Sequence, residues 1–327
     1  MKIGIIGTGT WGIALARMLF LSGHEILAWT AIPAELDSLK EGRHPNLPGV
    51  EIPLGIRYTL SMEEVCREAE LLLFAVPSVF VRSTAKKAAP FVHGQIVVDV
   101  AKGIEPGTMK TMSRILTEEL PGCPIVALSG PTHAEEVARD LPTAIVSAGE
   151  DMAAAEQVQA VFSTTCMRVY TNPDVLGVEL CGALKNIIAL AAGICVGLGF
   201  GDNTKAALLT RGMAEITRLG ERLGCDPRTF AGLAGIGDLI VTATSMHSRN
   251  NRCGILIGQG VPAEEAVKQV GMVVEGLNAL PAAVELGKQY QVELPIVQAV
   301  DAVVNGGADP KETVLQLMGR RRKAELG

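Results

Sequence analysis

Along residues 1–170 the apolar positions fall in short β-branched runs, separated by stretches with the three-to-four-residue period of a helix. The runs at 2–6, 25–29, 71–76, 96–100, 125–128, 144–147 and 167–170 predict strands, and 11–21 and 79–89 predict helices between them. Strands buried on both faces read as continuous apolar runs. This alternation therefore predicts βαβ units and an α/β fold with a mostly parallel sheet. Ser61-Met62-Glu63-Glu64 has the Ser-x-x-Glu form of a capping box, and 42–55, with prolines at 45, 48 and 53, predicts a loop.

Beyond 170 the period of two disappears. Asn172-Pro173 supplies an N-cap and a proline at the first helical position, so a long helix is predicted from there. Further helices are expected over 202–223, after Asp226-Pro227, after Gly237, and over 248–259, 262–269, 273–290, 295–304 and 310–318. The pattern predicts an N-terminal dinucleotide-binding domain over 1–180 and an all-α domain over 181–327 that carries substrate and catalytic groups, the boundary lying near 172–185. The most apolar stretch, 187–200, is broken by glycines at 193, 197 and 199 and is shorter than the roughly 20 residues of a membrane span, so it reads as a buried helix.

Composition narrows the function classes. A length of 327 residues suits two domains, and 48% hydrophobic with 20% charged residues suits a folded chain rather than a disordered one. A net charge of -6 and 4% aromatics offer neither attraction nor stacking surfaces to nucleic acid. The start, Met1-Lys2-Ile3-Gly4-Ile5-Ile6-Gly7, runs directly into a strand, which leaves no signal peptide and predicts a cytoplasmic location. Cysteines at 66, 123, 166, 181, 195, 225 and 253 form no close pair, so reduced thiols are expected. The histidines at 24, 44, 93, 133 and 247 show no ligand spacing, and no metal is expected. The basic tail Arg320-Arg321-Arg322-Lys323 reads as a solvated helix end, favourable for dipole reasons.

Candidate chemistry begins at Gly7-x-Gly9-x-x-Gly12, directly after the first strand. The first glycine allows the tight turn, the second a close approach of backbone to a pyrophosphate, and the third the contact of helix with strand. The exposed N–H groups at the helix start then stabilise the anion, as in a Rossmann-type fold. The acid that holds the ribose 2′-hydroxyl of NAD is missing from the end of the second strand, which reads Trp29-Thr30-Ala31-Ile32, and no arginine stands there for a 2′-phosphate. NADH and NADPH both remain open, with Arg43 and His44 in reach from the following loop. Lys102 follows the strand at 96–100, at the carboxyl edge where open sheets place ligands. Lys185 lies in an apolar helical run, where a cation is costly without compensation and so marks function; a lysine snorkelling to solvent is the bland alternative. Asp238 and Ser248 have either a site role or a plain capping role. Arg249 and Asn250 open a helix with groups suited to phosphate oxygens.

Several stretches recur together in one order: Gly7-Thr8-Gly9-Thr10-Trp11-Gly12, Val76-Pro77-Ser78, Ala101-Lys102-Gly103, Leu128-Ser129-Gly130-Pro131-Thr132, the run from Gly177 to Asn186, Gly237-Asp238-Leu239, Ser248-Arg249-Asn250 and Val273-Val274-Glu275-Gly276. In this order, over nearly the whole chain, they resemble the bacterial-type NAD(P)-dependent glycerol-3-phosphate dehydrogenase family. The resemblance implies hydride transfer between NAD(P)H and dihydroxyacetone phosphate to give sn-glycerol 3-phosphate, feeding glycerophospholipid synthesis. It implies Lys185 as catalytic acid/base; a neighbouring cation at Lys102 and the carboxylate of Asp238 are then expected to set its protonation, in opposite directions. It places Lys102, Gly130, Thr132, Lys185, Asp238, Ser248, Arg249 and Asn250 on the substrate. Thr10, Trp11, Lys102, Ala134, Arg249, Val273 and Glu275 join Gly7, Gly9 and Gly12 on the cofactor. Relatives usually carry His or Arg and then Asp where this chain has Ala31-Ile32, and an aromatic residue where it has Asn46, which leaves the coenzyme preference open. The expected partner is a small phosphorylated triose, with no nucleic acid and no integral membrane segment; a homodimer stays open. Two other readings compete: a similar two-domain dehydrogenase acting on a β-hydroxyacid or sugar acid, and a non-catalytic NAD(H) sensor.

Overall fold

The computed structural model describes residues 1–322, 324 and 325; Lys323, the last residue of the basic tail, and positions 326 and 327 of the helical domain lie outside the described residues. The chain forms two compact units, one of Met1–Gly182 with Arg228–Asp238, the other of Ala183–Pro227 with Leu239–Gly327.

In the first unit eight strands form one sheet: β1 (Lys2–Ile6), β2 (Glu25–Trp29), β3 (Arg57–Thr59), β4 (Leu71–Phe74), β5 (Ile96–Asp99), β6 (Ile125–Ser129), β7 (Thr143–Gly149) and β8 (Met167–Asn172). Their order is β3-β2-β1-β4-β5-β6-β7-β8, parallel throughout except for the antiparallel pairing of β6 with β7. Winding reverses at β1, which pairs with both β2 and β4. Open α/β sheets bind ligands outside the strand carboxyl ends at such a reversal.

The period of two sorts the core. Ile3, Ile5, Leu71, Leu73 and Val98 pack on one face with Ile13, Leu15 and Leu19 of the first helix, Thr10–Leu21. Ile6, Leu72, Phe74 and Val97 pack on the other with Val65, Ala85, Ile115 and Leu116. Each fully buried side chain of this size stabilises the fold by about 1.5–3 kcal/mol relative to exposure. Three local expectations shift. β3 was not foreseen, because Arg57-Tyr58-Thr59 is a short edge strand without a buried apolar run. The capping box at Ser61 forms in part: Glu64 N–H donates to Ser61 Oγ, while the Glu64 carboxylate takes the Thr59 hydroxyl instead of reaching back. The long helix starts at Val175 rather than after Asn172, since Asp174 Oδ1 accepts the Gly177 N–H and so caps the helix.

The second unit holds most of the helix Val175–Gly197 and those of Asp202–Arg222, Arg249–Gly258, Ala263–Val270, Glu275–Gln289, Pro295–Val304 and Pro310–Met318. The apolar stretch is a buried helix, as expected, and it runs through Gly193 to Gly197. It is long and apolar enough to cross a membrane, yet 89% of its most apolar window is buried inside the fold. Gly193 and Gly197 lie against Gly254 and Gly258 of the Arg249–Gly258 helix. A Cβ would come within 2.2 Å of Asn251 O at Gly193, and within 2.1 Å of Leu190 O at Gly254. The two helices therefore meet backbone to backbone. Glu215, buried in the Asp202–Arg222 helix, accepts the Ile296 N–H at 2.9 and 3.0 Å and so caps the Pro295–Val304 helix from a distance in sequence. At the basic tail Arg320 pairs with Glu293.

Candidate functional site

The glycine turn leaves β1 at Gly7, whose φ of +115° favours glycine. A Cβ on Gly12 would sit 2.2 Å from Gly7 O, so the first helix presses directly on the turn. Gly9, by contrast, has nothing within 4 Å of where a Cβ would stand. It is the N-cap of the first helix and offers no side chain to the helix N–H groups, while the Thr10 hydroxyl beside it is buried without a hydrogen-bond partner. An uncapped helix start, an open approach and an orphaned buried hydroxyl are what a dinucleotide pyrophosphate would satisfy. These residues fit the group. Trp11 packs its ring against the core beside them, and Ala134 opens the short helix Ala134–Val137 that follows β6.

An acid does arrive at the end of β2, contrary to the reading of Trp29-Thr30-Ala31-Ile32. Pro33 starts a single 3₁₀ turn, Pro33–Glu35, that folds the chain back. Glu35 Oε2 thereby accepts the Thr8 hydroxyl at 3.0 Å and the Thr30 hydroxyl at 2.9 Å. Glu35 stands 35 − 12 = 23 positions after Gly12, close to the roughly 20 of the dinucleotide fingerprint. That spacing, with a proline just past the strand, was the signal available in the sequence. Of the two loop residues expected nearby, the His44 ring lies 3.2 Å from Thr8 O, whereas Arg43 pairs with Glu41. Burial lowers the His44 pKa from its ordinary value, against the opposing pull of Thr8 O and Glu35.

The first unit also gathers Lys102, Gly130, Thr132 and Asp238. A five-residue π-helical turn, Leu233–Gly237, brings Asp238 to the start of the helix Asp238–Thr244. Wide turns of this kind cluster at functional sites. Lys102 Nζ, past the end of β5, donates to Asp238 Oδ2 at 2.6 Å and to Gly130 O at 2.9 Å, and Thr132 Oγ1 donates to the same carbonyl at 3.2 Å. Asp238 is 1% exposed, which makes the pair a charge-assisted bond anchored from the buried side. Gly182 on the long helix lies beneath, since a Cβ there would come 3.5 Å from Lys102 Cγ. Two further carboxyls here escaped the sequence reading as side chains with a task. Glu179 takes the Ser113 N–H at 2.7 Å and its hydroxyl at 2.5 Å. Asp99, at the end of β5, has Oδ2 buried without a partner. Burial pushes both pKa values up, and the neighbouring Glu179 charge raises Asp99 further. Held toward the neutral form, Asp99 accepts the Ala101 N–H at 3.3 Å, one residue before Lys102.

The second unit carries Lys185, Ser248, Arg249, Asn250, Val273 and Glu275. Lys185 does not snorkel to solvent: it is 4% exposed, and its Nζ donates to the Thr242 hydroxyl at 2.5 Å. Asn250 Nδ2 donates to Asn186 Oδ1 at 2.9 Å, and its Oδ1 accepts the Gly276 N–H at 2.8 Å. Asn250 thus ties the Lys185 helix to the start of the Glu275–Gln289 helix, which Val273 precedes and Glu275 opens. Ser248 Oγ accepts the Asn251 N–H at 3.2 Å and caps the helix that Arg249 begins. Arg249 is half-buried on that first turn. A buried ammonium with a hydroxyl partner can hold or release a proton, and a guanidinium at a helix start suits a phosphate.

Comparison with known proteins adds to this geometry. A family model described as NAD-dependent glycerol-3-phosphate dehydrogenase N-terminus matches residues 2–155, and the corresponding C-terminus model matches 174–315. Glycerol-3-phosphate dehydrogenase [NAD(P)+] 2 of Lactobacillus delbrueckii subsp. bulgaricus is 62% identical, covering 99% of each chain. The glycerol-3-phosphate dehydrogenase [NAD(P)+] of Desulfitobacterium hafniense is 52% identical over 99% of this chain and 93% of its own. Among solved structures, glycerol-3-phosphate dehydrogenase from Coxiella burnetii superposes with a TM-score of 0.93 at 33% identity, covering 98% of this chain and 99% of that one.

Proposed function

Because the chain belongs to the NAD-dependent glycerol-3-phosphate dehydrogenase family, we propose that Lys185 drives its interconversion of dihydroxyacetone phosphate and sn-glycerol 3-phosphate. The bound dinucleotide, NADH or NADPH, supplies the hydride. As the ketone carbon accepts it, negative charge grows on the ketone oxygen, and the Lys185 ammonium stabilises that charge and then gives the oxygen a proton. The Thr242 hydroxyl accepts one N–H of this ammonium and fixes its direction. Water returns the proton afterwards.

Lys102, clamped by Asp238 Oδ2 and Gly130 O, offers its remaining N–H to the substrate. With Asp238, it is assigned to the catalytic group alongside Lys185, the role the family resemblance implies. Arg249, with Ser248 and Asn250 at the same helix start, takes the substrate phosphate by charge-assisted bonds and orients the ketone. Gly130 and Thr132 border the same substrate beside Lys102. Gly7, Gly9, Thr10, Trp11, Gly12 and Ala134 would receive the dinucleotide, and the family resemblance adds Lys102, Arg249, Val273 and Glu275 to the residues that would touch it.

The observation that carries this reading is the ammonium of Lys185, buried in an apolar helix and kept there by a hydroxyl. Seven cysteines outside any disulfide suit a reducing compartment, so the reaction is assigned to the cytoplasm, with the product entering glycerophospholipid synthesis and a homodimer as the assembly for sedimentation to test. Dihydroxyacetone phosphate is offered with each reduced coenzyme to the natural chain and to Lys185→Ala. The variant is expected to lose roughly 10²-fold or more in kcat, about 3 kcal/mol of barrier, with coenzyme affinity retained. Unchanged turnover removes Lys185 from the chemistry. Coenzyme binding by the natural chain without turnover of any phosphorylated ketone favours the non-catalytic sensor.

A further inference from the structure

We propose that Glu35 makes this chain selective for NADH, its carboxylate binding the 2′-hydroxyl of the adenosine ribose and excluding a 2′-phosphate. The proposal rests on the glycine turn being the dinucleotide site, and three observations carry it further.

The first is place. Ile6 at the end of β1 pairs with Trp29 at the end of β2. Thr8 lies in the turn beyond one strand and Thr30 just beyond the other. A carboxylate that accepts from both hydroxyls stands beside the turn on its β2 flank. With the pyrophosphate at the helix start, the adenosine ribose extends toward that flank.

The second is constraint. Thr8 and Thr30 are 4% and 2% exposed, and both donate to the same oxygen, Oε2. The charge is pinned in position through Oε2, and a carboxylate so held has a second oxygen that can accept from a further donor. A ribose hydroxyl is such a donor, whereas a phosphate dianion has only acceptors to offer.

The third is the sign of the surroundings. Ala31 and Ile32, exposed at the same corner, carry no charge. Arg43 is engaged with Glu41, and His44, held against Thr8 O, is driven by burial toward its neutral form. A 2′-phosphate would meet a fixed negative charge without a compensating guanidinium. Discrimination of this kind works by penalising the wrong ligand as much as by rewarding the right one.

Dissociation constants of the intact chain for NADH, NADPH, ADP-ribose and 2′-phospho-ADP-ribose, followed by tryptophan fluorescence or calorimetry, test this without any turnover. The natural chain is expected to bind each ligand lacking the 2′-phosphate about tenfold or more tightly than its phosphorylated counterpart. The isosteric Glu35→Gln should narrow that ratio to within about threefold, chiefly by improving the phosphorylated ligands. Equal affinities in the natural chain, or a ratio untouched by Glu35→Gln, would overturn the proposal. Failure of all four ligands to bind is a different result, because it removes the dinucleotide site itself and this inference with it.

Discussion

Glycines serve opposite ends in the two units. In the first, Gly7, Gly9 and Gly12 clear space around a turn: Gly7 adopts a backbone angle that side chains avoid, Gly9 faces open space, and Gly12 touches the turn it follows. In the second, Gly193, Gly197, Gly254 and Gly258 abolish space, letting two helices approach until a carbonyl of one lies 2.1 to 2.3 Å from where a Cβ on the other would be. The first set leaves backbone N–H groups for a ligand. The second holds the scaffold around Lys185, Asn186 and Asn250 together. One residue type thus marks a binding surface in one place and a packing seam in another. What distinguishes them is whether a strand or a helix comes before.

Substitutions should separate the two roles, with the largest effect at the seam. Gly254→Leu forces four carbons into the backbone of Leu190, and a loss of more than about 4 kcal/mol is expected. Circular dichroism should show the helical unit unfolded or expanded, with hydrogen exchange rising across 183–227 and 239–318. A Tm unchanged by Gly254→Leu would mean that the helices do not touch, and the comparison would fail. At the turn, Gly12→Ala should cost about 1–3 kcal/mol of stability by overpacking, together with most of the dinucleotide affinity. Gly9→Ala should stay within about 0.5 kcal/mol in stability and still weaken coenzyme binding, because the added methyl occupies the approach. Equal losses of affinity and stability in both variants would make the turn a mere packing device.

The smallest expected effect is one of pH, and it belongs to the helical unit. Burial pushes the Glu215 carboxyl up to about 7, although the Ile296 and Val297 N–H groups pull it down. The folded state therefore binds a proton that the unfolded chain releases near the ordinary carboxyl value of 4.5. Its stabilising contribution is complete below that value and is lost as pH rises through about 7. Thermal melts from pH 5 to 8 should lose a few degrees more in the natural chain than in Glu215→Gln. Parallel curves would show that Glu215 titrates alike in both states.

The parts of this fold legible in the sequence are those in which one local pattern decides the outcome. β1, β2, β4 and β5 announce themselves because strands covered on both faces carry nearly continuous apolar runs. β3 does not, since Arg57-Tyr58-Thr59 sits at an edge where alternation is weak. The buried helix through Gly193 and Gly197 was legible from its apolar run, but the reason it tolerates glycine, the facing glycines on another helix, was not. The same limit governs the site. Lys185 could be singled out by its apolar neighbours alone, but the contact of Lys102 with Asp238 joins residues 136 positions apart, which no local spacing encodes. Glu35 is set apart from the end of β2 by one 3₁₀ turn, so the residues of the strand end alone do not reveal it.

The helix Val175–Gly197 has a consequence for anyone dissecting this protein. The chain passes between the two units three times, and the first passage, from Gly182 to Ala183, falls inside that helix rather than in a linker. Regular backbone of this sort resists proteases, so limited digestion should nick surface loops elsewhere before it parts the halves. Genes encoding either half alone would sever the helix and expose an apolar stump, and the products should gather in inclusion bodies unless the two pieces are expressed together.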